Sequence, residues 1–170
     1  QIVDQLAGPV PGGKSIYFQK HMTLHLMDHI DRRWMENVVN CFLIRDPAEV
    51  IASYAAKRDK VTAADVGFEA QLEIFRHVEK CAGKIPVVLD ARDVLKHPDN
   101  MLQKLCAAVG VEFDEDMLSW PAGRRDSDGI WGVHWYGAVE NSTGFAPYKP
   151  SDPGLDSDQS ELAAKCRPFY

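Results

Sequence analysis

The chain has 170 residues, of which 45% are hydrophobic and 26% charged, so it is long enough to bury a core without disulfide or metal cross-links. Its net charge of −6 argues against a nucleic-acid-binding protein, which normally carries a basic surplus. No apolar run approaches the roughly 20 residues that a membrane span needs, and we expect a cytoplasmic protein with a single domain over residues 1–170.

Residues 1–15 are predicted to form a loop or linker, because prolines and glycines are frequent there. This segment matches the phosphate-loop pattern G-x-x-x-x-G-K-[ST], through Gly8, Gly13, Lys14 and Ser15. A phosphate loop needs a strand before it and a helix after it, since the helix N-terminus supplies part of the anion site. The preceding residues are weakly helical in pattern and Ile16–Gln19 is predicted to be a strand, so the pattern favours a surface turn.

The next elements are a helix, a strand and a second helix. Helical spacing of apolar residues predicts a helix over 22–34, and an almost unbroken apolar run predicts a strand over 38–44. Such a run is typical of strands that are buried on both faces of a parallel sheet. The sequence Asp-Pro-Ala-Glu at 46–49 has the spacing of a helix N-terminus and predicts a helix through Tyr54.

The second half of the chain continues the alternation before its texture changes. The patterns predict a helix over 63–82, a strand over 85–89 and a helix over 98–109 closed by a glycine. Residues 120–157 show little periodicity and are expected to form a long functional loop, followed by a tail helix within 158–170. This order of elements predicts an α/β fold with a mainly parallel sheet.

Arg45 stands directly after the central predicted strand, and Ser53 lies eight residues further on, in the next helix. Ligands of open α/β sheets bind at the carboxyl ends of the strands. A guanidinium group and a hydroxyl near a helix N-terminus make a natural phosphate site. A second interpretation is equally open at this point, in which Arg45 pairs with a carboxylate and Ser53 only packs.

The segment Arg-Asp-Pro at 45–47, together with Ser53, resembles the 3′-phosphate-binding motif of sulfotransferases that use 3′-phosphoadenosine 5′-phosphosulfate. Two further segments are similar to that family. Residues 18–22 resemble its catalytic segment of lysine and histidine, and residues 123–131 resemble its basic, glycine-containing loop that returns to the 3′-phosphate. The stretch Trp-Pro-Ala-Gly at 120–123 is similar to one in bacterial sulfotransferase-like proteins.

This resemblance implies a three-layer P-loop-NTPase-like sulfotransferase fold and the transfer of a sulfuryl group from that donor to a hydroxyl or amine of a small molecule. It implies that the cofactor is bound by Arg45, Ser53, Gly123, Arg124 and Arg125. His21 is then the candidate general base, and Lys20 the cation that stabilises charge on the leaving phosphate oxygen. The alternative is a solvated lysine beside a strand-end histidine.

Two weaker patterns complete the candidate residues. His21, His25 and His29 recur every four residues, but no nearby carboxylate or thiolate completes their set, so we expect no metal site. Aromatic residues that can line an acceptor pocket, with core packing as the alternative, are Trp131, Trp135, Tyr136 and Tyr148.

The family holds the 5′-phosphosulfate in a loop on a first strand, and this sequence has no such strand before Ile16. We therefore expect an N-terminally incomplete copy of the fold. Two other functions stay open: a non-catalytic nucleotide-binding or interaction module of a larger protein, and a P-loop kinase or NTPase that uses Lys14 and Ser15. The sequence leaves the acceptor and the oligomeric state open, a homo-oligomer included.

Overall fold

The computed structural model describes residues 2–26, 29–126, 128–129, 132, 136–150 and 152–170. They divide into two compact units, Gln1–Val88 with Asp152–Tyr170, and Leu89–Ser151. The helices and strands are α1 (Ile2–Leu6), β1 (Cys41–Ile44), α2 (Pro47–Ala55), α3 (Ala63–Val66), α4 (Phe68–Ala82), β2 (Val87–Asp90), α5 (Ala91–Lys96), α6 (Pro98–Val109), α7 (Gly137–Glu140) and α8 (Ser157–Cys166). Short 3₁₀ segments occupy Pro11–Gly13, Thr23–His25, Arg33–Asn37, Glu115–Leu118 and Arg167–Phe169.

The strands β1 and β2 pair in a small parallel sheet, which agrees with the predicted α/β class. β1 begins at Cys41, three residues later than the apolar run predicted, and it is buried on one side only. Phe42 is buried, whereas Leu43 is 60% exposed. The prediction of a strand buried on both faces is therefore wrong for the described residues, because no described element covers the side of Leu43.

The core of the first unit lies under one face of β1. Its buried members are Trp34, Met35, Phe42, Ile74 and Val78. The rings of Phe42 and Phe75 meet edge to face, with centroids 5.4 Å apart, so β1 packs directly on α4. The side-chain amide of Gln71 on α4 also donates a 3.0 Å hydrogen bond to the carbonyl of Leu43, which fixes the end of the strand.

The helices with clear terminal signals form as predicted. α2 starts at Pro47 behind an Asp46 cap, and α6 ends immediately before Gly110. The terminal helix α8 begins behind a capping box of Asp156 and Gln159. The helix α5, which follows directly on β2, was not predicted, because its six residues are too few to show a helical period. In the described part of the chain, none of the helices combines the length and the hydropathy that a membrane crossing requires.

The predicted helix over 63–82 is interrupted at Gly67. This glycine has a φ of +67°, ends α3 and precedes α4. A side chain there would be strained by the backbone angle, and its Cβ would lie 3.0 Å from the hydroxyl of Thr23. The left-handed backbone of Gly67, whose carbonyl accepts a hydrogen bond from the hydroxyl of Thr23, therefore divides the single helix that the sequence period predicts.

The N-terminal predictions are largely wrong. Residues 1–15, predicted to be a loop or linker, contain the five-residue helix α1. Ile16–Gln19, predicted to be a strand, pairs with no strand among the described residues. In place of a helix over 22–34, the described residues of this range belong to two 3₁₀ segments and the chain beside them. One physical reason is that Arg32 donates a hydrogen bond to the carbonyl of Leu26, an acceptor that a continuous helix would use for its own backbone.

The long loop predicted over residues 120–157 contains regular structure in the second unit. Residues 120–157 include α7, whose last residue, Glu140, accepts a backbone hydrogen bond from Gly123. The indole of Trp120 donates a 3.0 Å hydrogen bond to Ser142 and meets the ring of Phe145 edge to face. These contacts give the first part of the predicted loop a defined conformation.

Replacement of Ile51 by alanine tests the packing of α2. Ile51 is completely buried, and its truncation leaves a cavity, so we expect the free energy of unfolding to fall by about 2–5 kcal/mol in urea denaturation. The control is Val39→Ala, because Val39 is 64% exposed and its truncation should cost less than about 1 kcal/mol. Equal losses for the two variants would contradict the described packing.

Candidate functional site

Arg45 occupies the turn between β1 and α2. β1 ends one residue before it and α2 begins two residues after it, so the arginine follows directly on the carboxyl end of a strand. Its backbone is fixed from both sides, because Gln71 holds the carbonyl of Leu43 and Asp46 caps the helix. The structure thus places Arg45 at the kind of strand end where α/β sheets bind ligands.

The half-exposed side chain of Arg45 forms an ion pair with one carboxylate. Its Nε donates a hydrogen bond of 2.8 Å to Oε2 of Glu49, one helical turn further along. The carboxylate partner that the sequence left open is therefore present. The two terminal amino groups of the guanidinium make no hydrogen bond within the described part of the chain, so the donor pair that recognises carboxylates and phosphates stays available.

Ser53 lies on the same stripe of α2 as Glu49. Glu49 is four positions after Arg45, and Ser53 is four positions after Glu49, which is the spacing of neighbours along one helix face. Ser53 is exposed, and its hydroxyl has no hydrogen-bond partner among the described residues. Glu49 therefore stands between the two residues that the sequence predicted to bind a phosphate.

The donor set around Arg45 fits a phosphate group. Two amino groups of Arg45 and the hydroxyl of Ser53 have no partner within the described chain, and phosphate oxygens accept from both types of donor. Nearby backbone of α2 contributes the positive end of a nine-residue helix. The opposing charge is that of Glu49, so binding depends on the arginine keeping its terminal amino groups turned towards solvent.

The neighbouring Asp46 uses both of its carboxylate oxygens. Oδ1 accepts the backbone N–H of Ala48 at 2.9 Å, and Oδ2 accepts NH1 of Arg167 at 2.8 Å. Positive and negative groups thus alternate at this junction, with Arg45 and Arg167 beside Asp46 and Glu49. Sequence analysis missed Arg167, because the contact spans 121 residues, whereas the spacing of Arg45 and Glu49 was a signal that could have been used.

His21 lies in a segment without regular secondary structure and not at the end of a strand. Its ring packs against the ring of Trp34, with centroids 5.1 Å apart, and Trp34 belongs to the buried core. Nε2 of His21 donates a 3.2 Å hydrogen bond to Oε1 of Gln19. Lys20 is exposed beside it. The imidazole is therefore held by the core on one side, while the segment itself remains open to solvent.

Two properties suit His21 to accepting a proton. The amide oxygen of Gln19 can only accept, so Nε2 carries the ring proton and Nδ1 of the neutral ring keeps its lone pair. Burial lowers the pKa of His21 below its ordinary value. Since that value is about 6.5, the neutral and basic form predominates at pH 7.

The second unit presents two arginines on a turn. Gly123 has a φ of +111°, which residues with side chains rarely adopt, and its N–H donates to the carbonyl of Glu140 at 2.7 Å. The backbone N–H of Arg125 donates to the carboxylate of Asp128 at 2.9 Å. The side chains of Arg124 and Arg125 are exposed and have no acidic partner among the described residues, so they are available to an anion.

The aromatic residues predicted to line an acceptor pocket do not form a described cluster. Trp131 and Trp135 lie outside the described residues. The ammonium group of Lys96 lies 5.2 Å from the ring centre of Tyr148, so this ring engages a cation with its face. The backbone N–H of Tyr136 donates a 2.8 Å hydrogen bond to the carbonyl of Gly132. An aromatic acceptor pocket stays a prediction.

The repeated histidines and the glycine-rich segment 8–15 both lack the local structure that metal binding or a phosphate loop requires. Within the described residues, no group of three His, Cys, Asp or Glu side chains can hold a metal ion, and the 3₁₀ segment ends at His25, so the histidines do not share a helix face. The glycine-rich segment 8–15 follows a helix and precedes extended chain. A phosphate loop needs the opposite order, so the structure gives a kinase or NTPase site at Lys14 and Ser15 no support.

Comparison with known proteins shows what this chain is similar to. A family model described as Sulfotransferase domain matches residues 6–170, which include every candidate site residue. Two curated relatives of Arabidopsis thaliana, branched-chain-amino-acid aminotransferase-like proteins 2 and 1, are each 26% identical over 160 and 159 residues. Each match covers 94% of this chain but only 28% of the relative's length. No solved structure matches the chain significantly.

The titration of His21 tests the described environment of the ring. Because burial lowers its pKa, we expect the His21 resonances in an NMR titration to move with a midpoint below 6.5, with His21→Gln identifying the signals. The folded chain then binds this proton more weakly than the unfolded chain, so the stability that His21 contributes is lost as the pH falls through that range. A midpoint at or above 6.5 would show that the ring is not desolvated.

Proposed function

Since this chain belongs to the sulfotransferase domain family, we propose that it transfers a sulfuryl group from 3′-phosphoadenosine 5′-phosphosulfate to a hydroxyl or amine of a small-molecule acceptor. The observation that carries this proposal is the placement of Arg45 directly after the end of β1. Its terminal amino groups make no hydrogen bond to the described residues, and Ser53 follows eight residues later on α2. The same proposal includes a three-layer P-loop-NTPase-like sulfotransferase fold for this chain.

Arg45 and Ser53 hold the 3′-phosphate of the donor in this proposal. The guanidinium supplies two parallel donors and a full positive charge, and the hydroxyl supplies a third donor from the same face of α2. Hydrogen bonds to a charged group typically contribute about 1.5–3 kcal/mol each. The resemblance also assigns donor binding to Gly123, Arg124 and Arg125. Within the second unit, the exposed side chains of Arg124 and Arg125 have no acidic partner among the described residues, which supports a role in binding an anion.

The chemical step needs a base for the acceptor and a cation for the leaving oxygen. When bound, the donor supplies an activated sulfuryl group. The proton of the acceptor hydroxyl or amine passes to Nδ1 of His21 as the acceptor atom takes up that group. Lys20 places an ammonium charge beside the phosphate oxygen on which negative charge develops, and this electrostatic stabilisation lowers the barrier. The neutral state of His21 at pH 7 supports the first of these roles.

Replacement of Arg45 by alanine tests donor binding. We expect the affinity for 3′-phosphoadenosine 5′-phosphate, measured by titration calorimetry, to fall about 10- to 100-fold or more, because a bidentate charged contact is lost. Arg58→Ala is the matched control, since Arg58 is equally exposed and also has one carboxylate partner, but lies beyond the end of α2. Unchanged affinity in the Arg45 variant would exclude the proposed phosphate site.

Replacement of His21 by glutamine separates catalysis from binding. We expect the transfer of labelled sulfate to fall about 10²- to 10⁴-fold, the usual contribution of a general base, while nucleotide affinity changes less than twofold. The wild-type rate should rise with pH to a plateau, with a midpoint below 6.5. Nucleotide binding without sulfate transfer by the wild-type chain would instead favour the non-catalytic nucleotide-binding module.

A further inference from the structure

The side chain of Arg167, near the C-terminus, contacts the residue that follows Arg45 in the proposed phosphate site. NH1 of Arg167 lies 2.8 Å from Oδ2 of Asp46, the residue that follows Arg45 and caps α2. Both residues belong to the first compact unit. Because these two residues are 121 positions apart in sequence, their contact requires that the backbone at Arg167 be held close to Asp46.

The backbone at Arg167 is held by the packing of α8. This helix lies against α2, and its last residue, Cys166, is 2% exposed. The N–H of Arg167 donates to the carbonyl of Ala163 and so continues the helix by one residue. The guanidinium also lies over the ring of Tyr170, 5.6 Å from its centre. Arg167 is thus directed towards Asp46 from a fixed backbone.

The charge of Asp46 is unfavourable for the proposed site. Its side chain cannot be truncated without loss of the helix cap, because Oδ1 accepts the N–H of Ala48. The same negative charge stands next to Arg45, where it repels a phosphate and competes for the guanidinium. Arg167 pairs with this charge through the second oxygen, while Arg45 forms its ion pair with Glu49.

We propose that Arg167 is a positioning residue of the anion site, one that neutralises Asp46 and thereby keeps the terminal amino groups of Arg45 available to a phosphate. This inference rests on the proposed function, since it names Arg45 as the group that binds the nucleotide. Arg167 itself need not touch the ligand. Its effect therefore depends on the presence of the Asp46 carboxylate, and this dependence separates it from a general effect of positive charge.

A double-mutant cycle in the full chain tests the proposal. We expect Arg167→Gln to weaken the binding of 3′-phosphoadenosine 5′-phosphate about three- to tenfold in calorimetry, and Arg167→Lys to retain affinity within about twofold. In an Asp46→Asn background, where the asparagine preserves the cap, Arg167→Gln should change the affinity less than twofold. The control is Lys165→Gln, which removes the same charge from the last turn of α8, where Lys165 forms an ion pair with the exposed Glu161.

The outcomes distinguish the two levels of the proposal. If the wild-type chain does not bind the nucleotide, the proposed function fails and this inference fails with it. If the wild-type chain binds but Arg167→Gln behaves like Lys165→Gln, only the positioning role is excluded. An equal loss with and without the Asp46 carboxylate would also overturn it, because Arg167 would then act directly or through the fold. Thermal unfolding of each variant verifies that the compared chains are folded.

Discussion

The hydrogen bond from the backbone of Ala48 to the carboxylate of Asp46 determines how the chain leaves β1. It satisfies one of the free N–H groups at the start of α2 and sets the direction of the helix. The buried side chains of Pro47 and Ile51 anchor that helix within the first unit. Arg45 lies between a paired strand and a capped helix. Its backbone therefore has little freedom, which is the preorganisation that an anion site needs.

The charges at this junction explain how such a site can exist among carboxylates. Exposed ion pairs contribute at most about 1 kcal/mol to stability, so the contact of Arg45 with Glu49 orients the guanidinium more than it stabilises the fold. A phosphate that approaches the two terminal amino groups does not need to displace Glu49 from Nε. The ion pair of Arg45 with Glu49 is thus compatible with the binding of a phosphate by the terminal amino groups of the same arginine.

The sequence predicted those parts of the fold that local chemistry determines. α2, α6 and α8 have caps or a terminal glycine in their own sequence. α2 ends one residue after its predicted end and α6 has its predicted bounds, while α8 begins one residue before the range in which it was predicted. The N-terminal segment was predicted wrongly because contacts distant in sequence decide it, among them the burial of Trp34 and the approach of Thr23 to Gly67.

In the candidate site, too, local features could be predicted from the sequence and contacts between distant residues could not. The motif at Arg45 and Ser53 was visible from spacing, since both residues lie on one element and its preceding turn. The role of Asp46 as a cap was visible too, but its bond to Arg167 was not, because nothing local to either residue indicates a partner 121 positions away. Likewise, the ring of His21 owes its lowered pKa to burial against the fold, which no pattern around residues 18–22 reveals.

The central claim is that the donors at Arg45 recognise a 3′-phosphate. It is tested most directly by calorimetric comparison of 3′-phosphoadenosine 5′-phosphate with adenosine 5′-phosphate, two nucleotides that differ only in that group. We expect the 3′-phosphorylated nucleotide to bind the wild-type chain at least about tenfold more tightly, with a difference that shrinks as the salt concentration rises. Equal affinity for the two nucleotides would contradict the account.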